Sequence, residues 1–161
     1  MATEAAIFTL IRTDVPEIEA RITADDFWAT GDNGQTVLQE AIASRRPDLA
    51  MWLVGRGIDL ENRDRSGYTA LHYALEYQFY PLAELMILAG ADVGTPNKHG
   101  NAALWTAVMN AKGDYALVDL LLARGADPDA RNRVGKSPLD LAITLDDSPL
   151  VERLQRKSAA G

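Results

Sequence analysis

Short apolar stripes recur along the chain, each a few residues long and helical in spacing. Leu71, Ala74 and Leu75 stand at i, i+3, i+4, one face of an α-helix. A thicker stripe follows at Leu82, Leu85 and Met86, and it returns as Leu49, Trp52, Leu53 and as Leu117, Leu120, Leu121. The punctuation is as regular as the stripes. Thr36, Thr69 and Ser137 precede the shorter helices, where a hydroxyl can accept a bond from a first-turn N–H. Pro47, Pro81 and Pro149 sit near the start of the longer ones, and Pro16 holds the same place in the N-terminal segment. Proline costs little there because that N–H has no helical partner. Gly57, Gly90 and Gly125 close the longer helices as left-handed caps. A polar stretch such as "IDLENRDRSG" then leads to the next turn.

These features share one period. The segments "GQTVLQEAI", "GYTALHYAL", "GNAALWTAV" and "GKSPLDLAI" begin at Gly34, Gly67, Gly100 and Gly135, at intervals of 33, 33 and 35. The closing glycines repeat at 33 and 35. Two independent landmarks therefore share one spacing and one two-residue insertion. A single helix pair cannot bury its stripe, whereas stacked neighbours can, which predicts an all-α solenoid of about five helix pairs. One domain of 161 residues is expected, with a first, degenerate pair at about 2–31 (its helices within Ala2–Ile22). Full units at 32–64, 65–97 and 98–131 follow, then a last pair at about 132–157 and a frayed tail at 158–161.

The period, the stretch "TALHYAL" close to a Thr-Pro-Leu-His-x-Ala signature, and the closing "GADV" resemble ankyrin repeats over about residues 4–157. The resemblance implies antiparallel helix pairs joined by β-hairpin-like loops that project at right angles. It implies that His72 is a structural pin, hydrogen-bonded within and between repeats, rather than a catalytic base. The other units carry Gln39, Trp105 and Asp140 at that position. Gln and Asp can still hydrogen-bond there; Trp105 cannot copy the network.

Composition narrows the chemistry. The net charge of −7 argues against a dedicated nucleic-acid binder. There is no cysteine, which removes disulfides, thiolate nucleophiles and Cys-ligated metals. The first twenty residues lack a basic start and a long apolar run, and no stretch approaches a membrane span. A cytoplasmic protein without a membrane anchor is the expectation.

Several stretches imitate catalytic or metal motifs. "ARNRVGKS" ends like a phosphate-binding loop, but Ala130 stands where that loop needs its first glycine. "DPDARN" opens like a calcium loop, but Arg131 and Asn132 occupy its fifth and sixth positions. Asp25–Asp26 and Asp146–Asp147 are adjacent acids with no histidine nearby, and His72 and His99 fall in different units. No catalytic residue, metal ligand or cofactor is assigned, and the chain is read as a non-enzyme.

What remains is surface. In proteins of the family it resembles, hairpin tips and the inner face of the first helices are exposed. Carried onto this chain, partner contacts fall on Asn33, Gln35, Arg65, Ser66, Tyr68, Tyr77, Lys98, His99, Asn101, Trp105, Arg133 and Lys136. Six tip cations (Arg63, Arg65, Lys98, Arg131, Arg133, Lys136) oppose Asp32 and Asp64, so the tips carry +4 and the remainder −11. A basic edge bearing Tyr68 suits a protein partner with an acidic patch, and Tyr, Trp and Arg dominate interface hot spots. Nucleic acid fits less well, because the acidic body repels phosphate. The expected function is a monomeric binding module that sequesters or inhibits a protein partner, in sharper form an immunity-type inhibitor of a toxic enzyme. A scaffold or targeting adaptor is the alternative, and a small-molecule or nucleotide-binding enzyme domain a more distant one. Phe79 and Tyr80 either form an exposed patch or fold over the adjoining unit. The insertion at Ala111–Lys112 is either a neutral loop or a contact arm.

Overall fold

The computed structural model describes residues 4–13 and 15–159, with side chains from residue 6 onward. Ala2, at the start of the expected first pair, and residues 160–161 of the expected tail lie outside them. Among the described residues there are nine α-helices and one isolated antiparallel bridge, Thr30 to Thr36. Helix α1 (Glu4–Arg12) is followed by two 3-10 turns, Ile18–Ala20 and Asp25–Trp28. Four helix pairs follow: α2 (Val37–Ala43) with α3 (Pro47–Gly55), α4 (Ala70–Glu76) with α5 (Tyr80–Leu88), α6 (Ala103–Asn110) with α7 (Ala116–Ala123), and α8 (Pro138–Thr144) with α9 (Ser148–Ser158). The first unit therefore has a single 3-10 turn where the later units have a second α-helix.

The helices are 7 to 11 residues long, too short to persist alone in water. Tertiary contacts hold them in two rows. α1, α2, α4, α6 and α8 pack in sequence as the inner row, and α3, α5, α7 and α9 as the outer one. Between the rows runs a continuous apolar core from Ile7 and Ile11 through Leu38, Leu71, Leu82 and Leu104 to Leu150 and Leu154. Trp52 is half-buried, its ring covered by the Arg56 guanidinium 4.6 Å from the ring centroid.

The hydroxyl caps anticipated at Thr36 and Ser137 are present, while the Thr69 hydroxyl lies 2.9 Å from His72 Nδ1. Thr36 with Gln39 and Ser137 with Asp140 form reciprocal capping boxes at α2 and α8. Three prolines lie in the first turns of α3, α5 and α9. Helix α6 is the exception, because Ala102 stands at its N-cap and offers no side-chain acceptor.

His72 occupies the place expected of a pin. It is 3% exposed. Its Nδ1 accepts from the Thr69 N–H at 3.2 Å, so Nε2 carries the proton and donates to the Asn101 carbonyl of the next unit at 3.1 Å. Burial, opposed by that bond, lowers its pKa from the ordinary value. Gln39 does the same one unit earlier: its Oε1 accepts from the Thr36 N–H at 2.7 Å and its Nε2 donates to the Tyr68 carbonyl at 2.7 Å.

Candidate functional site: the hairpin edge and inner face

Each unit opens with the same turn. The N–H groups of Gly31, Asp64, Asn97 and Asn132 donate to the carbonyls of Gln35, Tyr68, Asn101 and Lys136 at 2.8–3.0 Å. In three turns an Asp or Asn side chain braces the loop. Asp64 Oδ1 accepts from the N–H groups of Ser66 and Tyr68, Asn97 Oδ1 from His99 and Asn101, and Asn132 Oδ1 from Val134 and Lys136. Neighbouring tips are then joined backbone to backbone. Arg65 N–H donates to Asn33 O at 2.9 Å, Lys98 to Ser66 at 2.8 Å and Arg133 to His99 at 3.0 Å. The four tips thus form one ladder, and its side chains project from a fixed backbone.

The first turn is built differently, and this removes one expected contact. Gly31 stands where later units have Asp64, Asn97 or Asn132. Gln35 supplies the missing brace: its Oε1 accepts from the Asn33 N–H at 2.9 Å and its Nε2 donates to Glu40 at 3.1 Å. A Cβ on residue 31 would lie 2.6 Å from the Gln35 amide nitrogen. Gln35 is accordingly 7% exposed and serves the turn, not a partner. Glu40 beneath it is also held by Arg12 at 2.7 and 3.0 Å and by Ser44. Burial alone would raise its pKa, but these hydrogen bonds and the Arg12 charge outweigh it and the net shift is downward.

The cations divide into two groups. Arg63 donates to the Pro96 carbonyl at 2.7 Å, and Arg131 to the Gly135 carbonyl at 2.7 Å and to Asp140 at 3.3 Å. Both are spent on the scaffold. Arg65, Arg133 and Lys136 are exposed and enter no ion pair among the described residues. Lys98 touches only the Ser66 hydroxyl, at 3.3 Å. Asn33 and His99 are exposed beside them, Ser66 and Asn101 half-buried.

Below the tips, unit two lays an aromatic file along the inner row. Tyr68 lies 5.5 Å from His72 and 5.9 Å from Tyr73, Tyr73 stacks on Tyr77 at 6.4 Å, and Tyr77 stacks on Phe79 at 6.2 Å. The Arg45 guanidinium sits 5.4 Å from the Tyr77 ring centroid. Tyr73 donates to Asp64 Oδ2 at 2.8 Å, and burial together with that bond raises the pKa of its hydroxyl. Tyr68 and Tyr77 are half-buried. Phe79 and Tyr80 fold over the structure: Phe79 packs on the core, and Tyr80 reaches the Asn110 carbonyl of the next unit at 3.5 Å. Trp105 is half-buried in a crevice with Asn101, Ala130 and Pro138, in the one full unit without a polar pin.

Sequence reasoning missed Trp28, which is 79% exposed just before the first hairpin. The signal was available, since the repeat places Glu61, Gly94 and Asp129 at the same position. The GKS turn is closed to phosphate by its own bonds, because Asn132 takes the N–H groups of Val134, Gly135 and Lys136. Among the described residues no three His, Cys, Asp or Glu side chains converge as metal ligands. No described helix is long and apolar enough to cross a membrane.

Comparison with known families agrees with this architecture. The family description "Ankyrin repeats (3 copies)" matches residues 6–97, and "Ankyrin repeat" matches 99–133. Protein PhlB of Serratia liquefaciens is 33% identical over 135 residues, which are 84% of this chain and 59% of that protein. The phosphocholine transferase AnkX of Legionella pneumophila is 30% identical over 132 residues, 77% of this chain and 13% of the transferase. Neurogenic locus notch homolog protein 1 of Xenopus tropicalis is 37% identical over 103 residues, 63% of this chain and 4% of that protein. The chain thus spans 59% of PhlB and far smaller shares of the other two.

Proposed function

Because the chain belongs to the ankyrin-repeat family, whose repeats are protein–protein interaction modules, we propose that it is a non-catalytic binding protein that holds an acidic surface of a protein partner along its hairpin edge and inner face. The observation that carries this reading is the row Arg65, Lys98, Arg133 and Lys136. Among the described residues these four cations enter no ion pair, and they project from tips whose backbones are bonded to one another. Such a row steers an acidic partner and fixes its register, while the half-buried Tyr68 and Tyr77 supply apolar contact area. The ladder is ordered before binding, so little conformational entropy is lost on capture. The mechanism is steric: the edge and inner face cover a site on the partner. A toxic enzyme inhibited in this way is the sharper form of the same proposal.

The test is the double variant Arg65→Glu with Arg133→Glu. Affinity capture from source lysate, quantified by mass spectrometry against the unmodified protein, should show the partner lost while circular dichroism stays unchanged. Unchanged capture by the folded double variant would refute the hairpin edge as the contact. Activity of the captured partner, measured with and without this protein, separates an inhibitor from an adaptor.

A further inference from the structure

We propose that a second binding site lies at the inter-helix turns, the end of the helices away from the hairpin tips: an anchor pocket between α5 and α7 for one bulky apolar side chain of a protein partner, flanked there by lysine or arginine. The repeat supplies its own controls. In three units the inter-helix turn is closed by one bond into the stack: Arg46 N–H to Ala41 O at 2.9 Å, Phe79 to Ala74 at 2.8 Å and Asp147 to Ala142 at 3.3 Å. The third unit carries the insertion, and its turn passes through Lys112 and Gly113 at φ 45° and 91°. Among the described residues no backbone bond from this turn reaches Ala107 O.

The consequence is local. Leu117 stands at the position of Leu49, Leu82 and Leu150, which are 1%, 1% and 0% exposed, yet Leu117 is only half-buried. It forms the wall of a cleft of ≈ 290 Å³ with Leu120, Ala107 and the rings of Tyr80 and Pro81. That volume falls at the lower limit of small-molecule pockets, roughly 300–1,000 Å³, and suits one inserted side chain. The rim decides the charge of the occupant. Glu84 and Asp114 both line the cleft and enter no ion pair among the described residues. Asp114 Oδ1 accepts from the Ala116 N–H at 3.1 Å, but neither carboxylate is neutralised by a cation among the described residues, and two such charges beside an apolar floor favour a cationic flank and oppose an acidic one. The site is therefore opposite in sign to the hairpin edge and stands independently of the reading proposed for that edge.

The probe is acetyl-Gly-Lys-Phe-Lys-Gly-amide, titrated into the 15N-labelled full chain. Saturable amide shifts are expected at residues 80–84 and 107–120, with a Kd of about 1 mM. The peptide with Ser in place of Phe, and the one with Glu in place of both Lys, should give no saturation. Removal of Lys112 and Gly113 together gives the third turn the length of the other three and should abolish the shifts. Glu84→Lys with Asp114→Lys, both exposed positions, should weaken binding about tenfold and decides the matter if the shortened turn does not fold. Arg65→Glu with Arg133→Glu should leave the titration unchanged, so failure at the hairpin edge and failure here are distinguishable. Absence of saturation, shifts centred on the tips, or equal binding by the shortened-turn or charge-reversed proteins would overturn the proposal. Benzylammonium binding as tightly as the peptide would overturn it in favour of a small-molecule site.

Discussion

Replacement of His72 tests the reading of the repeat most directly, because a neighbouring unit already contains the answer. His72→Ala removes the acceptor for the Thr69 N–H and the donor to Asn101 O. Each buried group left unpaired costs about 1–3 kcal/mol, and the lost ring leaves a cavity at a residue 3% exposed. The two unpaired groups alone come to about 2–6 kcal/mol and the cavity adds to this, a large part of the ~5–15 kcal/mol that stabilises a domain. His72→Gln should recover most of this, to within about 1 kcal/mol, because Gln39 makes the same pair of bonds one unit earlier. Urea unfolding followed by circular dichroism near neutral pH reads all three proteins. Acid separates them further. The folded pKa of His72 lies below its ordinary 6.5, so between those values the unfolded chain binds more protons. The contribution of His72 is therefore complete above the ordinary value and is lost as pH falls toward the folded one. The unmodified protein should weaken across that window more steeply than His72→Gln. If the Ala and Gln variants unfold at one midpoint, or if Ala costs nothing, the residue is not a pin and the refuted argument includes its exclusion from chemistry.

Two further predictions follow from departures within the repeat. Ala102→Thr supplies the cap that α6 lacks and should raise stability by about 0.5–1 kcal/mol, read as a higher urea midpoint. Gly100→Ala and Gly135→Ala have similar φ, 80° and 76°, but only the first places a Cβ 2.9 Å from a backbone atom, Arg133 N, while the second meets nothing within 4 Å. Thermal melts should therefore show the residue-135 variant losing about 1–2 kcal/mol and the residue-100 variant losing clearly more, with the bond between the third and fourth tips weakened.

The stacking was legible in the sequence because it is written several times. Period, caps and closing glycines each recur, so an ambiguous residue in one unit is read from its equivalents. Legibility fell where a unit departs from the others. Pro16 marks the place of a second helix in the first unit, yet that unit turns through Ile18–Ala20 alone. Nearby, Glu17 adopts a left-handed φ of 55°, at a cost that glycine would avoid. Gln35 looked like a tip residue because its equivalents are Tyr68, Asn101 and Lys136. Its burial follows from Gly31, four residues away, which leaves the turn without a brace.

The same comparison explains why the two candidate surfaces differed in legibility. The hairpin edge is made of side chains, and charge can be summed from a sequence, so its basic character is legible there. Which cations were already spent was not evident, because Arg63 and Arg131 pair with carbonyls of Pro96 and Gly135, and backbone acceptors leave no mark in composition. The α5–α7 cleft is made of an absence, a turn two residues too long that leaves Leu117 without the cover given to Leu49, Leu82 and Leu150. An insertion is visible in sequence, but its direction is not: the extra residues could have extended outward as an arm over a closed core. Among the described residues no backbone bond from the turn reaches Ala107 O and Leu117 stays half-buried, so the extra residues do not close over the core. In a repeat protein, then, regular positions report the stack, and irregular ones indicate where to look for a surface specific to this chain.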